Sequence, residues 1–380
     1  MLISVEKIAS GGLGLAHMQD GKTIFLPGTL PGEEVFVSKI KDKKSYLEGE
    51  DIKIIKSSPL RVTPACPYSN ICGGCDFDYV LPTTSATLKE EIVKDNLKRV
   101  GKLETLPPFL PPSFSPTGEK CRSRVRIHVS LKERKVGFLR AKSDTLIPIK
   151  HCLRLEDKLN EVLENGEEFV RSSFSRIISK GVNKKTSLVE VNLFASDDKV
   201  LIESDEGIRT IDDIPYHVRG DVFFQNAPSL LPSLFTFVKE NTVGERVMDL
   251  YSGVGTFSAL FEKSDKHVIA VERQKECLAL AKKNAPSAIS YTGAVELWGK
   301  QNREKVDTVI VDPPRVGLDK GAPQMISEWN PERIIYVSCN SVTLSRDIPL
   351  FTSYLPIKAK LFDFYPGSAH EESAVVLERK

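Results

Sequence analysis

No stretch of 18 apolar residues runs uninterrupted anywhere in this 380-residue sequence, and its opening, MLISVEKIASGG, has no basic segment leading into an apolar run. Those two absences exclude a membrane-spanning helix and an export signal of the usual kind, so a cytoplasmic protein without a membrane partner is expected. Charge of one sign is scarce as well: the formal net charge is +2, which neither requires nor forbids a polyanionic partner. Cysteines number only 7, at positions 66, 72, 75, 121, 152, 277 and 339. An odd count without an export signal argues against a disulfide framework and turns attention to metal binding or catalysis. Internal repeats and low-complexity tracts are also lacking. The remaining composition, 41% hydrophobic and 27% charged, suits two or three globular domains.

What is present divides by rhythm. Residues 1–57 are short alternating segments (LISVEKIA, TIFLPG, EVFVSKIK, GEDIKIIK) broken by glycine, proline and charged turns, the pattern of a small antiparallel barrel appended as a binding module. Pro59 and Pro64 mark a boundary. Residues 83–103, TTSATLKEEIVKDNLKRVGKL, are predicted to form one helix from their Thr/Ser start, their apolar spacing and the glycine near the end. LPPFLPPSFSPTG follows, and its five prolines point to an extended linker. RSRVRIHVSL, KVGFLR and SLVEVNLF then alternate as strands, which makes 58–215 a β-rich central domain. From 216 to 380 strands alternate with helical stretches: RVMDLY with a glycine loop and FSALFEK, KHVIAVE with ECLALAKKNA, VDTVIVD and RIIYVSC each with a helical segment. That rhythm predicts an α/β domain, a parallel sheet covered on both faces. PIKAKLFDF and SAVVLER, with no helix between them, should close it as an antiparallel edge pair.

Positive charge is concentrated from Glu119 to Lys142, where nine Lys or Arg face two acids. Arg122, Arg124 and Arg126 alternate with Ser123, Val125 and Ile127, so a strand here would turn three guanidinium groups to one face, suited to phosphates unless it is simply solvated.

Polar residues with chemical potential fall at predicted strand ends, where ligands bind in open α/β sheets. The glycine loop runs Asp249-Leu-Tyr-Ser-Gly253-Val-Gly255-Thr-Phe, and Glu272 ends the next strand, placed for two ribose hydroxyls. Ser258 stands where a dinucleotide fingerprint has its third glycine. Asp312 opens the stiff turn Asp-Pro-Pro-Arg, fit either to read a nucleobase or to cap a helix. Cys339, in Val-Ser-Cys-Asn, ends a buried strand just before a helix, where a helix dipole would lower its pKa; an inert core thiol is the plain alternative. In His370-Glu371-Glu372, alternation puts His370 and Glu372 on one face, as proton carriers or as a solvated cluster. Cys66-x5-Cys72-x2-Cys75 surrounds Gly73-Gly74, and a fourth thiol, Cys121 or Cys152, would complete a zinc or an iron-sulfur site.

Together these residues resemble the RNA uracil-5-methyltransferase family, in the subgroup with an N-terminal TRAM barrel and a [4Fe-4S] cluster. The signatures are Cys66-x5-Cys72-x2-Cys75 with Cys152, Phe223-Phe224-Gln225-Asn226, Asp249-Leu-Tyr-Ser-Gly-Val-Gly-Thr, Asp312-Pro-Pro-Arg, Ser338-Cys339-Asn340 and His370-x-Glu372, in that order across nearly the whole chain. The resemblance implies a Rossmann-like class I methyltransferase domain at 216–380, an OB-like TRAM barrel at 1–57 that binds RNA, and a central β-rich domain at 58–215 carrying the iron-sulfur site, with helix 83–103 against the catalytic domain. It implies Cys66, Cys72, Cys75 and Cys152 as cluster ligands, and Gln225, Tyr251, Glu272 and Asp312 as holders of S-adenosylmethionine. Cys339 would add to carbon 6 of a uridine and Glu372 would remove the proton from carbon 5. The substrate it implies is a uridine in 23S ribosomal RNA ahead of one in tRNA, with no obligate protein partner. Thr256, where some members have asparagine, and Gly293-Ala294, where others place a polar contact to adenine, depart from the family. Two other readings leave residues unused or lost: a nicotinamide dehydrogenase has no role for Cys339, Glu372 or the thiols, and a non-catalytic iron-sulfur RNA-binding protein should have lost the thiol or the base.

Overall fold

The computed structural model describes residues 1–183, 185, 187–302 and 305–380. At the N-terminus, strands Leu2–Ser4, Lys7–Ala9, Leu13–His17, Thr23–Leu26, Glu34–Asp42 and Leu47–Lys56 form one sheet. Their alternation turns Ile3, Ile24, Leu26, Val35 and Val37 into a shared core. The pairing is antiparallel except that Thr23–Leu26 runs parallel to Leu47–Lys56, a departure from the all-antiparallel expectation. The helix expected at 83–103 spans Pro82–Arg99 and stops four residues early, because the chain turns at Lys102 with φ 52°.

In the middle of the chain, Leu146–Pro148, Lys135–Leu139, Arg124–Ser130, Leu188–Ala195 and Val200–Ile202 form a five-stranded antiparallel sheet in that order. Three short helices absent from the strand-based reading, Asp157–Glu164, Gly166–Ser172 and Phe174–Ser179, press Leu159, Leu163, Phe169 and Ile177 onto Ile127, Val129, Val189 and Val191.

The largest sheet has eight strands in the order Ile289–Thr292, His267–Glu272, Arg246–Leu250, Thr308–Val311, Arg333–Ser338, Glu372–Arg379, Tyr354–Asp363, Phe109–Phe114. The first five are parallel, and Glu372–Arg379 is antiparallel to both neighbours. Successive residues face opposite cores. Val247, Ile310, Ile335 and Val376 pack with Phe235 and Val238 of helix Leu231–Asn241, whereas Met248, Val309, Ile334 and Val375 pack with Trp298, Met325, Leu344 and Leu97. Two expectations are corrected. The final antiparallel pair is not the sheet's edge: Phe109–Phe114, expected to be linker, adds beside Tyr354–Asp363 in parallel. Its register shifts across Pro111-Pro112, as an outermost strand allows because only one of its sides must hydrogen-bond. FSALFEK, expected to be helical, forms only the 3-10 turn Ser258–Phe261, whose first amide and hydroxyl are both taken by the buried Asp249 carboxylate. Among the described residues no helix is long and apolar enough to cross a membrane.

Candidate active site

Strand order reverses between Arg246–Leu250 and Thr308–Val311, and a cleft of about 490 Å³ opens at their carboxyl ends. Gln225, Tyr251, Glu272, Asp312, Cys339 and Glu372 all line it. The glycine loop forms its floor. Tyr251 adopts φ 59°, a left-handed conformation that costs a non-glycine residue energy. Gly255, at φ 77°, packs so tightly on helix Lys275–Asn284 that a Cβ would sit 3.1 Å from the Ala281 Cα. Glu272 fastens the same loop, accepting from the Gly253 amide at 2.9 Å and the Gln274 amide at 2.7 Å. Asp249, expected on the rim, lies beneath it: its Oδ2 accepts from Ser258 N at 2.9 Å and Ser258 Oγ at 2.6 Å, and it is 1% exposed.

Cys339 and Glu372 meet through strand register. Ser338 pairs with Ser373, and the next residue outward on each strand lines the cleft. Glu371 turns the other way and accepts from the amide and hydroxyl of Ser341. His370 precedes the strand, lies exposed and contacts the Arg315 guanidinium at 3.2 Å, outside the residues that line the cleft. Within the cleft the Oε1 atoms of Gln225 and Glu372 are buried without a hydrogen-bond partner, free for a ligand's donors. Sequence reasoning gave no role to Arg315 or Tyr365, which also line the cleft; an aromatic residue before Pro-Gly, five residues ahead of His370, was the available signal for Tyr365.

Burial dominates the electrostatics. It lifts Asp312 to about 7, assisted by the nearby Asp249 and opposed by the Gln225 amide, which donates to Asp312 Oδ2 at 3.3 Å. Glu372 is held well above the ordinary carboxyl range by burial and then by Asp312, with Arg315 opposing. Cys339 is pushed up to about 12 by burial, then by Glu372 and Asp312. The expected lowering of the thiol pKa therefore fails, for a physical reason. Helix Ser341–Asp347 is only seven residues long, and its leading amides are already occupied, Val342 N by Asn340 Oδ1 and Ser341 N by Glu371. A cation in the cleft would stabilise the thiolate and both carboxylates at once.

A second cavity, of about 600 Å³, is lined by Cys66, Cys72, Cys75 and Cys152. Cys121 is buried elsewhere, its thiol donating to the Gly118 carbonyl at 3.3 Å. Gly73 has no room for a side chain, since a Cβ would come within 3.2 Å of Leu139 O, and the Gly74 amide donates to Cys72 Sγ at 3.3 Å. Arg122, Arg124 and Arg126 all line the thiol cavity, and so does Val125, which their alternation would turn to the other face; the Nε atoms of Arg122 and Arg124 are buried without partners. Among the described residues no three His, Cys, Asp or Glu side chains converge closely enough to hold a single ion.

Five parallel strands continued by an antiparallel one, with a glycine loop at the point of reversal, define a class I methyltransferase fold. Residues 300–380 match the family described as tRNA (Uracil-5-)-methyltransferase, and residues 1–52 match the TRAM domain. Over those two segments the chain is thus similar to the RNA uracil-5-methyltransferases. An uncharacterized RNA methyltransferase of Treponema denticola is 29% identical, over 100% of this chain and 99% of the relative. The 23S rRNA (uracil(1939)-C(5))-methyltransferase of Methylococcus capsulatus is 27% identical, over 99% and 96%. The fold is shared by the Pyrococcus abyssi tRNA (uracil-54, C5)-methyltransferase solved with S-adenosyl-L-homocysteine, at a TM-score of 0.77 and 23% identity, covering 99% of this chain and 100% of that one.

Proposed function

We propose that this chain, acting in the cytoplasm, methylates carbon 5 of a specific uridine in 23S ribosomal RNA. The observation that carries the reading is the register that sets Cys339 beside Glu372 on one wall of a cleft whose other walls hold Gln225, Tyr251, Glu272 and Asp312. S-adenosylmethionine supplies an electrophilic methyl group. Glu272 suits its ribose hydroxyls, and Tyr251, Gln225 and Asp312 line the adjoining space. Cys339, losing its proton to solvent as the sulfonium cation enters the cleft, adds as thiolate to carbon 6 of the uridine, and the electron-rich carbon 5 takes the methyl as the S–CH3 bond breaks and S-adenosylhomocysteine leaves. Glu372 then removes the hydrogen of carbon 5, and the electron pair left behind expels the cysteine sulfur. The thiol must approach the ring's face, so the uridine leaves its stack to react.

The thiol cavity fits a [4Fe-4S] cluster. Each of its irons would take one thiolate, so the four sulfurs need not converge on a point, and the half-buried side chains of Arg122 and Arg124 would offset the cluster's negative charge. Cys66, Cys72, Cys75 and Cys152 would hold it, and it would tie the loop at 66–75 to the one at 152.

Ribosomal RNA is favoured by relatives of that activity aligned over the full chain. The tRNA reading has the Pyrococcus abyssi fold in its favour. Labelled S-adenosylmethionine incubated with each RNA tests both: label should enter 23S rRNA with wild type and nothing with Cys339→Ala, whereas label in tRNA alone selects the second reading and undiminished transfer by the alanine variant contradicts both.

A further inference from the structure

Helix Pro82–Arg99 precedes the strand-helix repeat in sequence, yet two of its side chains, two turns apart on one face, reach the loops that carry the reacting groups. Asn96 Nδ2 donates to Ser341 Oγ at 2.7 Å, two residues past Cys339. Lys89 Nζ donates to Asp363 Oδ1 at 2.6 Å and to the Tyr365 carbonyl at 3.1 Å. Ser85 Oγ donates to the other Asp363 oxygen at 3.1 Å, and the Tyr365 amide returns to Oδ1 at 3.3 Å. The Lys89 and Asp363 side chains have no exposure at all.

Asp363 ends one strand and Glu372 begins the next, and the turn between them brings Tyr365 to the cleft wall. The same turn is held from its far side by the thiol loop. Asp76 Oδ1 accepts from Ala369 N at 2.8 Å, and the amides of Asp76 and Phe77 donate to Gly367 O. An ion pair this deeply buried is expensive in desolvation, and apolar side chains of similar volume would pack the space as stably or better. Apolar packing could not hold the Tyr365 backbone in a fixed direction, which charge-assisted hydrogen bonds do.

We propose that Lys89 is a positioning residue for the transfer: through Asp363 and the Tyr365 carbonyl it fixes the turn that sets Tyr365 and Glu372 on the cleft wall. The proposal rests on the reading of Glu372 as the base. Its test compares wild type, Lys89→Met and the double variant Lys89→Met/Asp363→Leu by thermal unfolding, steady-state kinetics and amide hydrogen exchange over residues 364–371. Lys89→Met strands a buried carboxylate, so it should lower Tm and cut kcat about a hundredfold while KM for S-adenosylmethionine stays within about threefold. The double variant should recover Tm without recovering kcat, and exchange at 364–371 should stay faster than in wild type.

Recovery of kcat together with Tm would make the pair merely structural and overturn the proposal, as would unchanged exchange in the turn. If the double variant does not fold, Lys89→Gln, which can still donate to both oxygens, should retain more kcat than Lys89→Met; equal values would overturn it. A fully active Glu372→Gln would instead sink the reading of the base, and the exchange result would still decide whether Lys89 holds the turn.

Discussion

Buried acids around the cleft give the site a dependence on pH whose sign can be worked out. Asp312, lifted to about 7 by burial, is largely neutral in mild acid and ionised in mild base. A sulfonium cation binds the ionised form better. Affinity for S-adenosylmethionine should therefore rise between about pH 6 and about pH 8, and rise more steeply than that for S-adenosylhomocysteine, which lacks the sulfonium charge. Calorimetric titrations of both ligands across this interval check it, and parallel slopes would contradict the assignment of Asp312. Of the four rim residues read from strand ends, Glu272, Asp312 and Cys339 line the cleft and Asp249 lies beneath it, whereas Gln225 and Tyr251 were named only through the resemblance, because neither ends an apolar strand. The state of Cys339 was not legible in the sequence. Its pKa is set by burial and by Glu372 and Asp312, residues distant in sequence that only strand order brings near, and these outweigh a helix terminus whose amides are already taken.

At the scale of elements, periodicity identified four of the five parallel strands, missed the short outer strand Ile289–Thr292, and read the exceptions poorly. Phe109–Phe114 reads as linker because its prolines are incompatible with an inner strand, and local sequence does not reveal that it sits outermost. The helices from Asp157 to Ser179 were missed between strands that alternate clearly, although Leu159 and Leu163 recur at helical spacing. Loop geometry also separates two thiols that spacing leaves equivalent. Cys152 lines the cavity with Cys66, Cys72 and Cys75, whereas Cys121 is packed away from it beside the Gly118 carbonyl. Anaerobically purified Cys121→Ala should retain about four irons per chain, and Cys152→Ala should lose most of them. Equal iron contents in the two variants, or one zinc in place of iron, would refute the cluster assignment.

Across the whole molecule, three regions converge on the catalytic wall. The barrel is tied to helix Pro82–Arg99 by Lys7 to Asp95 at 2.7 Å and by Ser10 to Asn96 at 2.8 Å, and the thiol loop is tied to the turn before Glu372 by Asp76. These ties join residues up to 293 positions apart and have no local signature. The guanidinium row of Arg122, Arg124 and Arg126 shows the same limit: its alternation was plain, and its destination, the thiol cavity, depended on packing. In the proposed reaction this arrangement serves a transient bond between the Cys339 sulfur and a pyrimidine ring, resolved by Glu372. The most direct measurement is mass spectrometry of Glu372→Gln after incubation with S-adenosylmethionine and 23S rRNA. The account predicts a methylated RNA adduct accumulating on the peptide that contains Cys339; free methylated RNA formed at the wild-type rate, with no adduct, would contradict it.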